Sequence, residues 1–201
     1  MAHSLLVSLG ILSTFSLACC STAFAHVPLI VNTTYGPVRG EAIVLNTTGK
    51  TLVHYLGIPF AHANRFEAPE SPKPWTITRN ATSFGKWCPQ NPSVTMNSTK
   101  LISETCLTIN VFLPEDKAKQ NHDLLPVMVW IYGGGFSTGG SAARIYNGSY
   151  LATEGEVIVV TFNYRLGVLG FLSTGTKEIP GNFGLLDQVE ALRWVQKNIE
   201  R

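Results

Sequence analysis

The sequence is poor in charge. Lys, Arg, Asp and Glu make up 14% of its 201 residues, and hydrophobic residues 45%. An ordinary soluble chain is roughly a quarter charged. So little charge means much core and little surface, as in the buried strands of a larger α/β protein. The net charge is +2 and no Lys/Arg cluster occurs, which excludes a nucleic-acid-binding face. After the N-terminus no apolar run approaches membrane-spanning length, so no stable span is expected in the mature chain. Cysteine is scarce. Beyond residue 20 only Cys88 and Cys106 occur, and two thiols without further ligands do not make a zinc site. No metal or cofactor is expected. A dinucleotide fingerprint is also missing: Gly133-x-Gly135 lacks its third glycine, because position 138 is Thr. No histidine follows His122.

What is present begins with Leu5 to Cys20, an apolar stretch without a charged side chain, followed by Ala23-Phe24-Ala25. Small residues at that spacing read as a secretory signal peptide, residues 1–25, cleaved after Ala25. No Lys or Arg precedes the apolar core, and an uncleaved signal anchor is the alternative. Cys19 and Cys20 leave with the signal. The mature chain then runs from His26 to Arg201, about one domain's worth. Cys88 and Cys106 are an even count in an oxidising compartment. If paired, they close the loop from Pro89 to Thr105 and contribute about 3 kcal/mol on the chain-entropy model. N-x-S/T sequons stand at Asn32, Asn46, Asn80, Asn97 and Asn147, whereas Asn91 is followed by proline. Together they predict a glycosylated surface and an extracellular destination.

The chain alternates short β-type runs with punctuation. Residues 29–60 read as hairpins split at Tyr35-Gly36-Pro37 and Thr48-Gly49-Lys50. Residues 61–105 are proline-rich and irregular. Leu107 to Leu113 reads as a strand, and Asp116 to Asp123 as a polar connection. The near-continuous apolar runs Pro126–Tyr132 and Val157–Asn163 predict strands buried on both faces, as in a parallel or mixed sheet covered by helices. Gly184 to Glu200 reads as a helix. Leu185, Val189, Leu192, Gln196 and Ile199 lie at helical spacing, and Ala191, Trp194 and Val195 widen that stripe. No stop signal precedes Arg201, so the chain reads as truncated.

Gly133-Gly134-Gly135 follows the strand-like run Val127–Ile131 and Tyr132. Glycine permits a positive φ and lets a backbone N–H approach a ligand with no Cβ in the way. Acyl transfer needs such donors, fixed in advance around the developing oxyanion. A strand followed by an HGGG-type loop supplies them in lipases and esterases, and here Tyr132 stands in the histidine position. The tripeptide alone leaves an oxyanion element and a structural turn equally open.

Seven blocks in order resemble the type-B carboxylesterase (cholinesterase-like) family. They are Tyr35–Gly40, Tyr55–Ala61, Arg65-Phe66, Ser103–Pro114, the glycine loop, Asn163–Leu172 and Gly181–Gln188. The resemblance implies the N-terminal part of an α/β-hydrolase fold. It implies a central mixed sheet covered by helices and preceded by a hairpin region, in one domain over 26–201. It implies that Gly134 and Gly135 give oxyanion-hole N–H groups. It also implies that Arg65 and Glu104 belong to a structural salt bridge beside the disulfide region. Thr105 departs from the Asp or Gly usual before the cysteine.

Gly135-Phe136-Ser137-Thr138-Gly139 satisfies G-x-S-x-G, but a nucleophile elbow needs a strand directly before its serine and a helix directly after. Neither is predicted at Ser137. The triad order Ser, acid, His also fails, since no histidine follows. The true elbow is expected beyond Arg201, and the chain by itself is expected to be inactive. The resemblance implies a secreted carboxylic-ester hydrolase acting on small-molecule esters, with a non-catalytic neuroligin-like adhesion protein as the alternative. The loop from Pro89 to Thr105 holds no Trp, Tyr or Phe to bind a quaternary ammonium, which favours a general carboxylesterase over a cholinesterase.

Overall fold

The computed structural model describes residues 29–91, 101–115 and 124–200. The signal segment 1–25, His26, Asn97 and the connection 116–123 lie outside the described residues.

Two sheets form. In the smaller one, β1 (Ile30–Thr33) pairs antiparallel with β2 (Gly36–Arg39), and β2 pairs with the short β5 (Arg79–Asn80). The larger sheet contains β3 (Glu41–Val44), β4 (Thr51–Pro59), β6 (Thr108–Pro114), β7 (Val127–Trp130) and β8 (Ile158–Phe162) in the order β3-β4-β6-β8-β7. The two expected hairpins are therefore present, as β1–β2 and β3–β4. β6 and β8 run antiparallel, while β7 and β8 run parallel. A parallel pair needs a crossover, and α1 (Ser149–Gly155) lies in it. Just before α1, the Asn147 carboxamide accepts the Ser149 N–H at 2.9 Å.

β8 is buried along its whole length. Its alternate residues serve two cores, as period-two geometry requires. Ile158, Val160 and Phe162 join Phe60, Ile109 and Trp194 on one face; Val159 joins Leu52, Phe112 and Ala152 on the other. The expectation of two-sided burial is correct there and fails for β7. Trp130 and Met128 are each 48% exposed. The physical reason is position: β7 is an edge strand whose one partner among the described residues is β8.

The long helix is α3 (Phe183–Asn198), and α2 (Gly167–Phe171) is a short turn before it. The face of α3 differs from expectation. Leu185, Val189 and Leu192 are 42%, 42% and 45% exposed, and Gln196 is also exposed. The buried face carries Phe183, Gly184, Asp187, Glu190, Ala191, Trp194, Val195 and Asn198. Of the predicted stripe, the widening residues Ala191, Trp194 and Val195 point inward, and Ile199 packs partly buried against the same core. Partners for its polar members explain the choice. Asp187 meets Arg165, and Asn198 accepts the Thr34 N–H at 2.7 Å while donating to the Trp194 carbonyl at 2.8 Å. With partners supplied, polar groups bury without the usual penalty.

Candidate active site

The site is built at the C-terminal end of β7. The strand ends at Trp130, and Ile131 and Tyr132 lead into Gly133-Gly134-Gly135. Tyr132 is buried, and its partner is Tyr164, which follows β8. The rings stack with centroids 4.6 Å apart. The Tyr164 hydroxyl donates to the Tyr132 carbonyl at 2.9 Å, and the Tyr132 hydroxyl donates to the Tyr164 carbonyl at 3.2 Å. Burial is the largest cause pushing the Tyr132 hydroxyl far above the usual phenol range, so it stays protonated as a donor. The peptide entering the glycine loop is thereby fixed by its carbonyl.

The two candidate donors differ in why they are glycine. Gly134 has φ 136°, and a Cβ on it would overlap the Thr138 carbonyl oxygen. Its own carbonyl accepts the N–H groups of Ser137 and Thr138 at 3.1 and 3.2 Å, closing a tight turn. Gly135 has φ 58°, and a Cβ there would meet nothing within 4 Å. The space in front of it is open. Among the described residues neither the Gly134 nor the Gly135 amide has a hydrogen-bond acceptor. Phe136 follows with φ 57° and packs on Phe171 with centroids 4.9 Å apart. Its carbonyl accepts the Gly167 N–H at 2.7 Å.

Ser137 sits inside this turn. It is exposed, and its hydroxyl donates to the Gly135 carbonyl at 3.1 Å. No strand ends at Ser137 and no helix starts there. The described histidines are His54 and His62. His54 lies on β4 opposite Glu41, and His62 bridges to Glu70. Neither accompanies Ser137.

The loop exit is held by side-chain amides that the sequence did not single out. Gln90 Nε2 donates to the Gly139 carbonyl at 2.7 Å and to the Cys88 carbonyl at 3.1 Å, and its Oε1 accepts the Gly139 N–H at 2.8 Å. Asn163 Nδ2 donates to the Cys106 carbonyl at 3.1 Å, while its Oδ1 accepts the Ser141 N–H at 2.8 Å. Buried Asn110 donates to the Ser141 hydroxyl at 3.1 Å. Asn163 and Tyr164 could have been suspected from their place after a continuous apolar strand, since sites gather at the carboxyl ends of parallel strands. Gln90 has no local signal.

The Cys88–Cys106 disulfide is formed, with Cα atoms 5.0 Å apart. Arg65 reaches Glu104 through two hydrogen bonds at 2.7 and 2.6 Å, on the surface beside it. Thr105 donates its N–H to the Ser103 hydroxyl at 3.1 Å. Trp87 is buried beneath Gly140. Of the sequons, Asn32, Asn46, Asn80 and Asn147 are exposed. Among the described residues, no group of three or more His, Cys, Asp or Glu could hold a metal, and no helix is long and apolar enough to cross a membrane.

The family model described as the carboxylesterase family matches residues 27–201. Carboxylesterase 3 of Homo sapiens is 44% identical over 183 residues, covering 84% of this chain and 31% of that protein. Bile salt-activated lipase of Bos taurus is 46% identical over 177 residues, covering 85% of this chain and 29% of that protein. Carboxylesterase 1D of Rattus norvegicus is 40% identical over 200 residues, covering 92% and 35%. The chain spans about a third of the length of the curated relatives it matches. Its mixed sheet with helices is a partial α/β-hydrolase fold, and the chain belongs to the carboxylesterase family.

Proposed function

We propose that the whole protein is a secreted carboxylic-ester hydrolase and that this chain contributes its oxyanion hole through Gly134 and Gly135. The observation that carries the reading is the state of Gly135: a left-handed backbone, open space where a side chain would stand, and an amide with no acceptor among the described residues. A donor fixed in that way stabilises a tetrahedral oxyanion more than the ground-state carbonyl and so lowers the barrier to acyl transfer. Serine attack would give an acyl-enzyme that water then hydrolyses. On this reading none of residues 1–201 is assigned as nucleophile, acid or histidine. Ser137 is likewise assigned no nucleophilic role: its hydroxyl donates to the Gly135 carbonyl, and among the described residues no histidine is hydrogen-bonded to it.

The relatives are named carboxylesterases and a bile salt-activated lipase, and a small-molecule carboxylic ester is the substrate class proposed here. The mature domain would begin at His26, after signal cleavage at Ala25. Exposed Asn32, Asn46, Asn80 and Asn147 support glycosylation, with Asn97 a further sequon. At Asn147 a glycan on Nδ2 leaves Oδ1 free to keep accepting the Ser149 N–H. The test is turnover of a short-chain chromogenic ester by the full-length secreted protein. Normal secretion without turnover would favour a non-catalytic adhesion role, and a Gly or Ala at the nucleophile position would decide for it.

A further inference from the structure

We infer that Gln90 is a positioning residue for the oxyanion loop, an inference that rests on the oxyanion role proposed above. Its carboxamide grips Gly139 at both main-chain groups, donating to the carbonyl at 2.7 Å and accepting the N–H at 2.8 Å. A residue held on both sides can neither slide nor rotate its peptides. Gly139 in turn lies against the loop entrance. A Cβ on it would fall 2.6 Å from the Tyr132 ring and 2.8 Å from the Gly133 carbonyl oxygen. The Gly134 turn closes just before it, through the N–H groups of Ser137 and Thr138. Gln90 therefore sets where the turn carrying Gly134 and Gly135 can sit.

The anchor behind Gln90 is the disulfide. Its third hydrogen bond goes to the carbonyl of Cys88, two residues back, and Cys88 is bonded to Cys106. Asn163 makes the matching connection from the Cys106 carbonyl to Ser141. The exit of the glycine loop is thus fixed to both halves of the covalent crosslink. Gln90 touches no reacting atom in this arrangement. It acts by keeping oxyanion donors in place, and displacements near 1 Å are enough to cost turnover.

The test uses the full-length protein with Gln90→Met and Gln90→Glu. Methionine keeps the length and loses every hydrogen bond. Glutamate keeps the shape but, ionised, cannot donate to the Gly139 carbonyl. Both variants are expected to lose about ten-fold or more in kcat with KM changed less than about two-fold. Affinity for a trifluoromethyl ketone, whose adduct places an oxyanion in the hole, should fall by a similar factor. Wild-type kcat and analogue affinity in either variant would overturn the inference while leaving the esterase reading intact. So would a loss confined to yield, with kcat per folded molecule unchanged. A wild-type protein without turnover would overturn the reading and this inference together.

Discussion

Arg165 gives Asp187 three hydrogen bonds from one residue. Nε and the main-chain N–H reach one carboxylate oxygen at 2.8 and 3.0 Å, and Nη2 reaches the other at 2.8 Å. The remaining fork, Nη1, donates to the carbonyls of Asn64 and Glu67 at 3.1 and 2.8 Å. The pair is buried, with side chains 6% and 0% exposed. It ties the end of β8, the first turns of α3 and the irregular segment after β4 into one unit. Asp187→Asn keeps the shape and removes the charge, leaving a buried guanidinium without its counter-ion. The expected cost is about 3–5 kcal/mol. It should be read as a lowered urea midpoint and reduced secretion of the full-length protein. An unchanged midpoint would show that Arg165 finds another partner.

In the glycine loop, Gly135→Val should impair turnover far more than folding. A β-branched side chain is strained at φ 58°, and its Cβ would enter the open space where the proposed oxyanion role puts the reacting carbonyl. The loss should appear mainly in kcat, about a hundred-fold or more. Ser137→Ala should keep most activity. Gly134→Ala should instead reduce the yield of folded protein, because its Cβ meets the Thr138 carbonyl. Abolished activity in Ser137→Ala beside a near-normal Gly135→Val would reverse the assignment.

Buried tyrosines predict an alkaline limit. Burial pushes the Tyr55 hydroxyl up to about 12 and raises Tyr132 as well. A folded-state value above the unfolded one means that the native state holds a proton the unfolded chain has lost. Their contribution is therefore complete below about pH 10 and declines as pH rises toward 12. Urea midpoints should be level between about pH 7 and 9 and fall above about pH 10, together with tyrosinate absorbance. Tyr55→Phe should soften that fall. The same slope in the variant as in the parent would remove Tyr55 as a cause.

The secreted protein should carry no free thiol from Cys88 or Cys106. Alkylation of denatured, unreduced protein followed by peptide mapping would reveal them. Replacing both cysteines with serine is expected to cost about 2–5 kcal/mol. The same replacement should also lower kcat, since both cysteine carbonyls hold side chains that fix the loop exit.

Residues 26–201 expressed alone should self-associate. Met128 and Trp130 are exposed on β7, whose outer edge has no partner among the described residues, and Leu185, Val189 and Leu192 are exposed on α3. Such edges recruit other chains. Sedimentation should show large species at micromolar concentration. A monomer with one cooperative unfolding transition would contradict this expectation.

The main strands, the long helix and the character of the loop were legible in the residues, whereas the short helices α1 and α2 were not. β-branched runs specify β6 and β8 because only strands use period-two burial on both faces. Gly-Gly-Gly after a strand already carries the conformational freedom that an oxyanion element needs. Seven ordered blocks identify the family, because such a series is too specific for chance. Tertiary structure decided what periodicity could not. α3 is apolar on two faces, and the one turned inward is the one whose Asp187 and Asn198 find partners on Arg165 and Thr34. The exposure of β7 follows from its place at the edge, which no local pattern encodes. Gln90 meets Gly139 across 49 positions and Tyr132 meets Tyr164 across 32. Neither contact has a sequence signature, because a hydrogen bond between distant segments depends on where the sheet brings them. The difference between Gly134 and Gly135 is of the same kind: one is glycine because Thr138 folds back against it, and the other faces open space.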